Sequence, residues 1–306
     1  MPAEDVLLDN LTAALFESSD GFSSSLPAIE KQMYEKVIGL ASKLEKSNGR
    51  LKVSVNNIRI LGEIKRELTS VVMTDKYRKS VKKFAESFDA IQDLQTKYFD
   101  AVVGGYKASS IMSALKKETV DSVLSNLLDA GVNYNITQKI ADELRIQVIS
   151  GGKYSDLVEG IRTTMLGDGE GVLQRYAKTY ATDALYTYSR QYNQVFSEDL
   201  GIEWYRWWGG LKDSSRDFCV AMEENTRKGG CLEYIHVSQF DELLKGQICG
   251  GNVVLNKKTD LPQGFKKNTT TVNFTSNAGG WNCQHQLIPT PTIAVPDKFI
   301  KKIKPT

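Results

Sequence analysis

The sequence predicts a mainly α-helical protein, with a helical N-terminal bundle followed by a small α+β C-terminal module that carries a Cys/His cluster and long loops. Three observations lead there. Apolar residues recur at steps of three and four through most of the first 200 residues, the period of a half-buried helix. Glycines rather than prolines separate these stretches, and the connections are short, as in antiparallel bundles. After Gly201 a tryptophan-rich segment alternates like a strand, and every Cys and His of the chain lies beyond it.

The elements follow in order. Val6, Leu7, Leu11, Leu15 and Phe16 give residues 3–17 an apolar helical face that the GFSSS segment interrupts. Pro27 suits a first helical turn and opens a helix to about Lys46, which Ser47-Asn48-Gly49 ends. Leu51, Val55, Ile58, Leu61, Ile64, Leu68 and Val71 predict a helix over 51–72, with a strand near 53–58 as the competing reading of its β-branched residues. Tyr77, Val81, Phe84, Phe88, Ile91, Leu94, Tyr98 and Val102 continue the stripe over 75–103, and Gly104-Gly105 breaks it. Helices are expected at 110–130, 136–149 and 154–166, separated by GVN, ISGGK and LGDGEG. A tyrosine-rich helix spans 171–199, with Arg175, Asp183 and Arg190 near one side. In the strand at 204–208, Trp204, Arg206 and Trp208 face one way and Tyr205 and Trp207 the other. The segment 213–219 reads as a polar turn, 237–245 as a short helix, and 246–280 as a long loop or ragged hairpin. The expected domains are a helical docking region at 1–109, a module at 110–291 whose small α+β part starts at 201, and a basic tail at 292–306.

Hydrophobic residues at 41% and charged residues at 25% describe an ordinary globular chain. No stretch approaches 18 uncharged apolar residues, so no membrane span is expected. The acidic start MPAEDVLLDN lacks the basic and apolar regions of a signal peptide, which points to a reducing compartment and weakens the case for disulfides. Charge is uneven. Glu4, Asp5, Asp9, Glu17, Asp20 and Glu30 stand without a single Lys or Arg before residue 31, whereas lysines dominate 256–306. Lys298, Lys301, Lys302 and Lys304 are the expected contacts to DNA or a partner. Phosphate-binding loops of the P-loop and dinucleotide types, H-E-x-x-H and EF-hand loops are all absent, which weighs against an NTPase, a kinase, a Rossmann enzyme and a metalloprotease.

Cys219, Cys231, Cys249, Cys283, His236 and His285 all fall between 219 and 285. Such clustering indicates one site: metal, disulfide or nucleophile. The zinc reading takes Cys219, His236, Cys283 and His285 as ligands, with Cys231 and Cys249 in reserve. The competing readings are ordinary buried Cys and His, a disulfide, and a Cys–His nucleophile pair for which no oxyanion donor is visible.

The order of elements from Asp183, through Trp204–Trp208, Asp213-Ser-Ser-Arg216-Asp-Phe-Cys219 and Tyr234-Ile235-His236, to Gly279-Gly-Trp281-Asn282-Cys283-Gln284-His285 resembles the Mu F-like phage head morphogenesis family of tailed phages. The resemblance covers about 110–291. It matches the family's two elements at Asp213, Arg216, Cys219, Asn282, Cys283 and His285, with Gln284 in place of the usual Arg and Asp183 in place of the common Glu. Trp204, Trp208 and Trp281 are taken as structural residues of the same motif. What it implies is a minor head protein without established enzymatic activity, made in the host cytoplasm and held inside the virion or procapsid. Its expected partners are the portal and capsid proteins and, through the terminal lysines, packaged DNA. The alternatives are a nuclease or toxin-like enzyme on a phage-type module, and a non-phage helical adaptor. Arg216 is expected to pair with Asp183 or Asp213.

Overall fold

A computed structural model describes residues 3–303, so Lys304 of the expected contact set lies outside the described residues. It is mainly α-helical, as the periodicity predicts. Helix α1 (Ala3–Ser24) runs on through Gly21 rather than stopping near residue 17, and α2 (Pro27–Ala41) has its proline in the first turn. Between α2 and the next helix the expectation fails. Strands β1 (Lys46–Ser47) and β2 (Arg50–Leu51) form a hairpin whose turn residues Asn48 and Gly49 both have positive φ (51° and 75°). Asn-Gly is the preferred pair for such a two-residue turn, a signal stronger than the helix stop assigned to it above. Helix α3 (Val55–Val72) therefore begins later than predicted, capped by Ser54, whose Oγ accepts the Asn57 N–H. Asn57 is itself fully buried and donates to the carbonyls of Glu45 and Lys52, tying the hairpin to the helix start.

Helices α4 (Asp75–Val103), α5 (Ser110–Leu128) and α6 (Ala130–Val132) follow. A π-helical turn at Asn133–Gln138 leads into α7 (Lys139–Ile149), then come α8 (Tyr154–Leu166) and the long α9 (Val172–Leu200). In the widened turn Asn135 donates its side-chain amide to the Gly131 carbonyl, a local bond that competes with regular helix. Beyond Gly201 lie β3 (Trp204–Trp208), α10 (Asp217–Thr226), β4 (Ile235–His236), a 3₁₀ turn at Val237–Gln239 and α11 (Phe240–Leu244). Strands β5 (Gln247–Ile248) and β6 (Gly251–Asn252), α12 (Phe274–Asn277), β7 (Gln286–Thr290) and α13 (Asp297–Ile300) complete the order. The polar turn expected over 213–219 holds at its start, and helix α10 takes its last three residues, 217–219. Among the described residues no helix is long and apolar enough to cross a membrane.

The chain divides into two compact units, and the division does not fall at 109/110. One unit comprises 17–88 and 120–181; the other comprises 1–16, 89–119 and 182–306. They interleave in sequence because helices distant along the chain share each core. In the first, α2 packs on α3 and α8, and α3 packs on α7. Phe22 stacks on Phe84 at 5.0 Å. Glu30 is 2% exposed and accepts the Leu173 N–H at 2.7 Å, so a carboxylate from α2 caps α9.

In the second unit β3 is the central strand of an antiparallel sheet of order β4-β3-β7, with Trp204 opposite Thr290 and Trp208 opposite Gln286. Tyr205 and Trp207 enter a core with Phe218, Met222, Ile235, Phe240, Phe274 and Leu287. On the other face Trp204 packs with Val295 and Phe299, which holds 292–303 against the sheet rather than as a loose tail. Phe99 of α4 stacks on Phe196 of α9 at 3.6 Å, with Tyr106 edge-on to Phe196 at 4.8 Å.

Burial raises the pKa of Glu30, against the lowering effect of its backbone hydrogen bonds and Arg175. Because the folded value lies above the unfolded one, its stabilising contribution is complete below the ordinary carboxylate pKa and is lost as pH rises through the raised value. Glu30→Gln keeps an acceptor without the charge. Its Tm relative to the parent should therefore rise between pH 4 and pH 7 in calorimetry; a difference that stays flat or falls contradicts this account.

Candidate metal centre

Three elements meet at the site: the first turn of α10, the left-handed turn before β7, and α9. Cys219 sits in the first turn of α10. Its Sγ lies 3.7 Å from Cys283 Sγ, which in turn lies 3.6 Å from His285 Nδ1. All three side chains are buried, and their ligand atoms fall within 4.8 Å of one another. A tetrahedral ion bonded at about 2.3 Å to sulfur and about 2.0 Å to imidazole nitrogen sets its ligands about 3.8 Å and about 3.5 Å apart. The two measured separations match that spacing, so this trio is able to hold a metal.

The backbone around the trio is held from two sides. Arg190 of α9 is completely buried, and its guanidinium donates to the carbonyls of Cys283 and His285, the latter at 2.9 Å. Arg216 donates to the carbonyls of Gly279, at 2.7 Å, and Trp281. Gly279 (φ 72°) turns the chain where a Cβ would collide with the Cys283 sulfur, and Gly264 (φ 87°) leaves room for the Arg216 guanidinium. Asn282 (φ 54°) gives its N–H to Asp183 Oδ1 at 3.2 Å. Ser189 and Asn193 of α9 donate to the Gln286 side-chain oxygen, Asn193 also to the Leu287 carbonyl, and Gln95 of α4 braces Ser189 and Asn193.

The two thiols share a proton unequally. The hydrogen bond to Cys283 and burial push Cys219 far up, whereas the bond from Cys219, aided by His285 and Arg190, holds Cys283 well below the usual thiol range. His285 lies flat against Trp207 with ring centroids 5.0 Å apart. His285 Nε2 and Arg190 Nη1 are buried without a hydrogen-bond partner among the described residues.

Three of the four expected ligands converge, and His236 does not. It pairs with Trp204 at the far end of β3, four residues from the Trp208–Gln286 pair beside His285, about 13 Å along a strand. There its Nδ1 accepts the Ser238 N–H and its own N–H goes to Gln239, capping the 3₁₀ turn, while Nε2 lies 3.5 Å from Glu203. Cys231 and Cys249 are not reserve ligands either: they form a disulfide with Cα atoms 6.2 Å apart, contrary to the expectation of reduced cysteines. Arg216 pairs with backbone carbonyls and not with an acid. Asp183 instead faces Lys266 at 3.8 Å, and Asp213 is exposed. Trp204 is buried and Trp208 half-buried beside Arg206, while Trp281 is exposed with Lys266 over its ring at 4.7 Å. Lys298, Lys301 and Lys302 are exposed, Lys298 within 3.8 Å of Glu233. Sequence reasoning missed the role of Arg190, although its seven-residue step from Asp183 put both on one side of the helix.

Comparison with known proteins gives no match among family models, curated proteins or solved structures.

Removing a completely buried guanidinium strands two carbonyls. Arg190→Ala should cost about 3 kcal/mol or more in urea unfolding, and Arg190→Lys should recover only part of it. Arg216 is half-exposed, so Arg216→Ala should cost about 1–2 kcal/mol. The reverse order of the two alanine variants contradicts the account of the site.

Proposed function

We propose that the chain is a minor head protein of a tailed phage, a non-enzymatic component near the portal inside the capsid that assists procapsid assembly and DNA packaging or delivery. One observation supports this reading above others. Asp183, Arg216, Cys219, Asn282, Cys283 and His285, all of the positions that resemble the Mu F-like motifs except the exposed Asp213, come from three distant segments and gather around two sulfur atoms. The helices contribute docking surface for portal and capsid proteins, and the exposed Lys298, Lys301 and Lys302 offer contacts to packaged DNA.

The metal in this reading is zinc, which two thiolates and an imidazole favour over the harder divalent ions. Bound by Cys219, Cys283 and His285, it supplies a cross-link between α10 and the turn before β7. Arg190 and Arg216 orient that turn, and Asp183 holds its Asn282 N–H.

Two measurements test the proposal. Protein purified without a polyhistidine tag should carry one zinc per chain; Cys283→Ser should lower it to background and His236→Ala should leave it unchanged. Absence of stoichiometric zinc rejects the metal. Quantitative mass spectrometry of nuclease-treated particles and procapsids should find a few copies per particle, in proportion to the portal. Absence from both, or chelator-sensitive cleavage of nucleic acid by the purified protein, replaces the minor-head reading.

A further inference from the structure

Five branched aliphatic side chains stand in water on the first unit: Val53, Val55 and Ile58 around the start of α3, and Ile146 and Ile149 at the end of α7. Val55 is 89% exposed and Ile146 67%, although both belong to helices with buried faces of their own. The two helices pack on each other and run antiparallel. Lys65 of α3 donates to the Gln138 side chain at the entrance of α7, while Leu51, ahead of α3, donates its N–H to Gly152 beyond α7. Val55 and Ile58 are therefore level with Ile149 and Ile146. Their stripes also adjoin: Lys65 lies two turns beyond Ile58, Asp142 one turn before Ile146, and both meet Gln138. A contiguous exposed patch of branched aliphatics marks a docking face.

The rim of this patch is cationic. In the hairpin Leu51 is buried, so by alternation Arg50 and Lys52 point outward, and both are exposed. Arg50 also forms a bridge with Lys153, which sets two cations opposite each other, an arrangement that costs stability unless an anion joins them. Glu45, whose carbonyl accepts the Lys52 N–H, has its carboxylate on the Asn56 amide. The complement of such a face is an acidic helix with apolar side chains among its charges. The chain displays one. Val6, Asp9, Ala13, Glu17 and Asp20 of α1 are exposed and recur at steps of three and four along one side, and no Lys or Arg occurs before residue 31. Two basic patches meeting across a two-fold axis would set like charges together, whereas α1 supplies the opposite sign.

We propose that the α3–α7 patch and its hairpin rim dock the acidic side of α1 from a second copy of the chain, a head-to-tail contact between unlike surfaces. The aliphatic side chains supply the buried centre of the contact. Arg50, Lys52 and Lys153 set its register against Asp9, Glu17 and Asp20. The contact depends neither on the metal nor on the minor-head reading.

Sedimentation velocity of the full, untagged chain reads the contact. The average mass should rise with protein concentration and fall back toward the monomer as salt is added, because salt screens exposed charges. Ile146→Ser should weaken self-association about tenfold. Lys52→Glu and Asp20→Lys should each weaken it about three- to tenfold, and the double variant carrying both reversals should recover most of the loss. All three positions are exposed, so the Tm followed by circular dichroism should stay at the parent value and separate lost contact from lost fold. A chain that stays monomeric at the highest concentration that remains in solution overturns the proposal; if that monomer floats with phosphatidylserine vesicles, the face belongs to a lipid surface instead. Association that strengthens with salt, or that Ile146→Ser abolishes and Asp20→Lys leaves intact, overturns α1 as the occupant. A double variant no tighter than either single one overturns the charge pairing.

Discussion

The second unit depends on one buried cation. Arg190 is completely removed from water, and a charge in that position needs acceptors of fixed geometry; its Nε and Nη2 have them, while Nη1 has none among the described residues. The carbonyls of Cys283 and His285 are those acceptors. Because they lie two residues apart in the segment that leads into β7, satisfying the arginine also dictates where the Cys283 sulfur and the His285 ring stand. The polar residues that follow on α9, Asn193 above all, extend the same constraint into β7, so helix and sheet are joined by a continuous polar seam within an otherwise apolar core.

The four cysteines divide by environment. Cys231 and Cys249 are exposed, and their bond ties the loop before β4 to the β5–β6 hairpin, a region with little regular structure of its own. Cys219 and Cys283 lie in the core with their sulfurs 3.7 Å apart, far longer than a covalent bond and close enough to share a proton. One pair compensates for sparse packing, whereas the other brings polarisable, charge-bearing atoms into dense packing. The glycine that clears space for Cys283 and the arginine that reaches Gly279 are therefore part of the same arrangement.

Much of the helical architecture was legible because a half-buried helix writes its period into the sequence, and α3, α4, α8 and α9 follow that period closely. What failed was local. Asn48-Gly49 is a hairpin turn and not only a helix stop, Gly21 lies inside a helix that tolerates it, and α10 is concealed by the polar residues 213–216 that precede its first turn. At the candidate site, clustering found Cys219, Cys283 and His285, because scarce residue types stand out. The same criterion wrongly included His236, since proximity in sequence carries no information on strand register. Arg190 was overlooked for the opposite reason: an arginine on a long helix ordinarily reaches water, and only the fold reveals that its partners are main-chain atoms 95 and 93 residues away.

That separation also has a meaning in time. A ribosome adds roughly 5–20 residues per second, so the segment that completes the arginine's shell is made roughly 5–20 s after Arg190 itself. During that interval α9 presents a guanidinium with nothing to receive it, and β3 lacks β7, its longer neighbour. The two core sulfurs obey the same schedule, since Cys219 precedes Cys283 by 64 residues. The core of this unit thus cannot be completed before residues 283–287, among the last of the chain to be made, have left the ribosome.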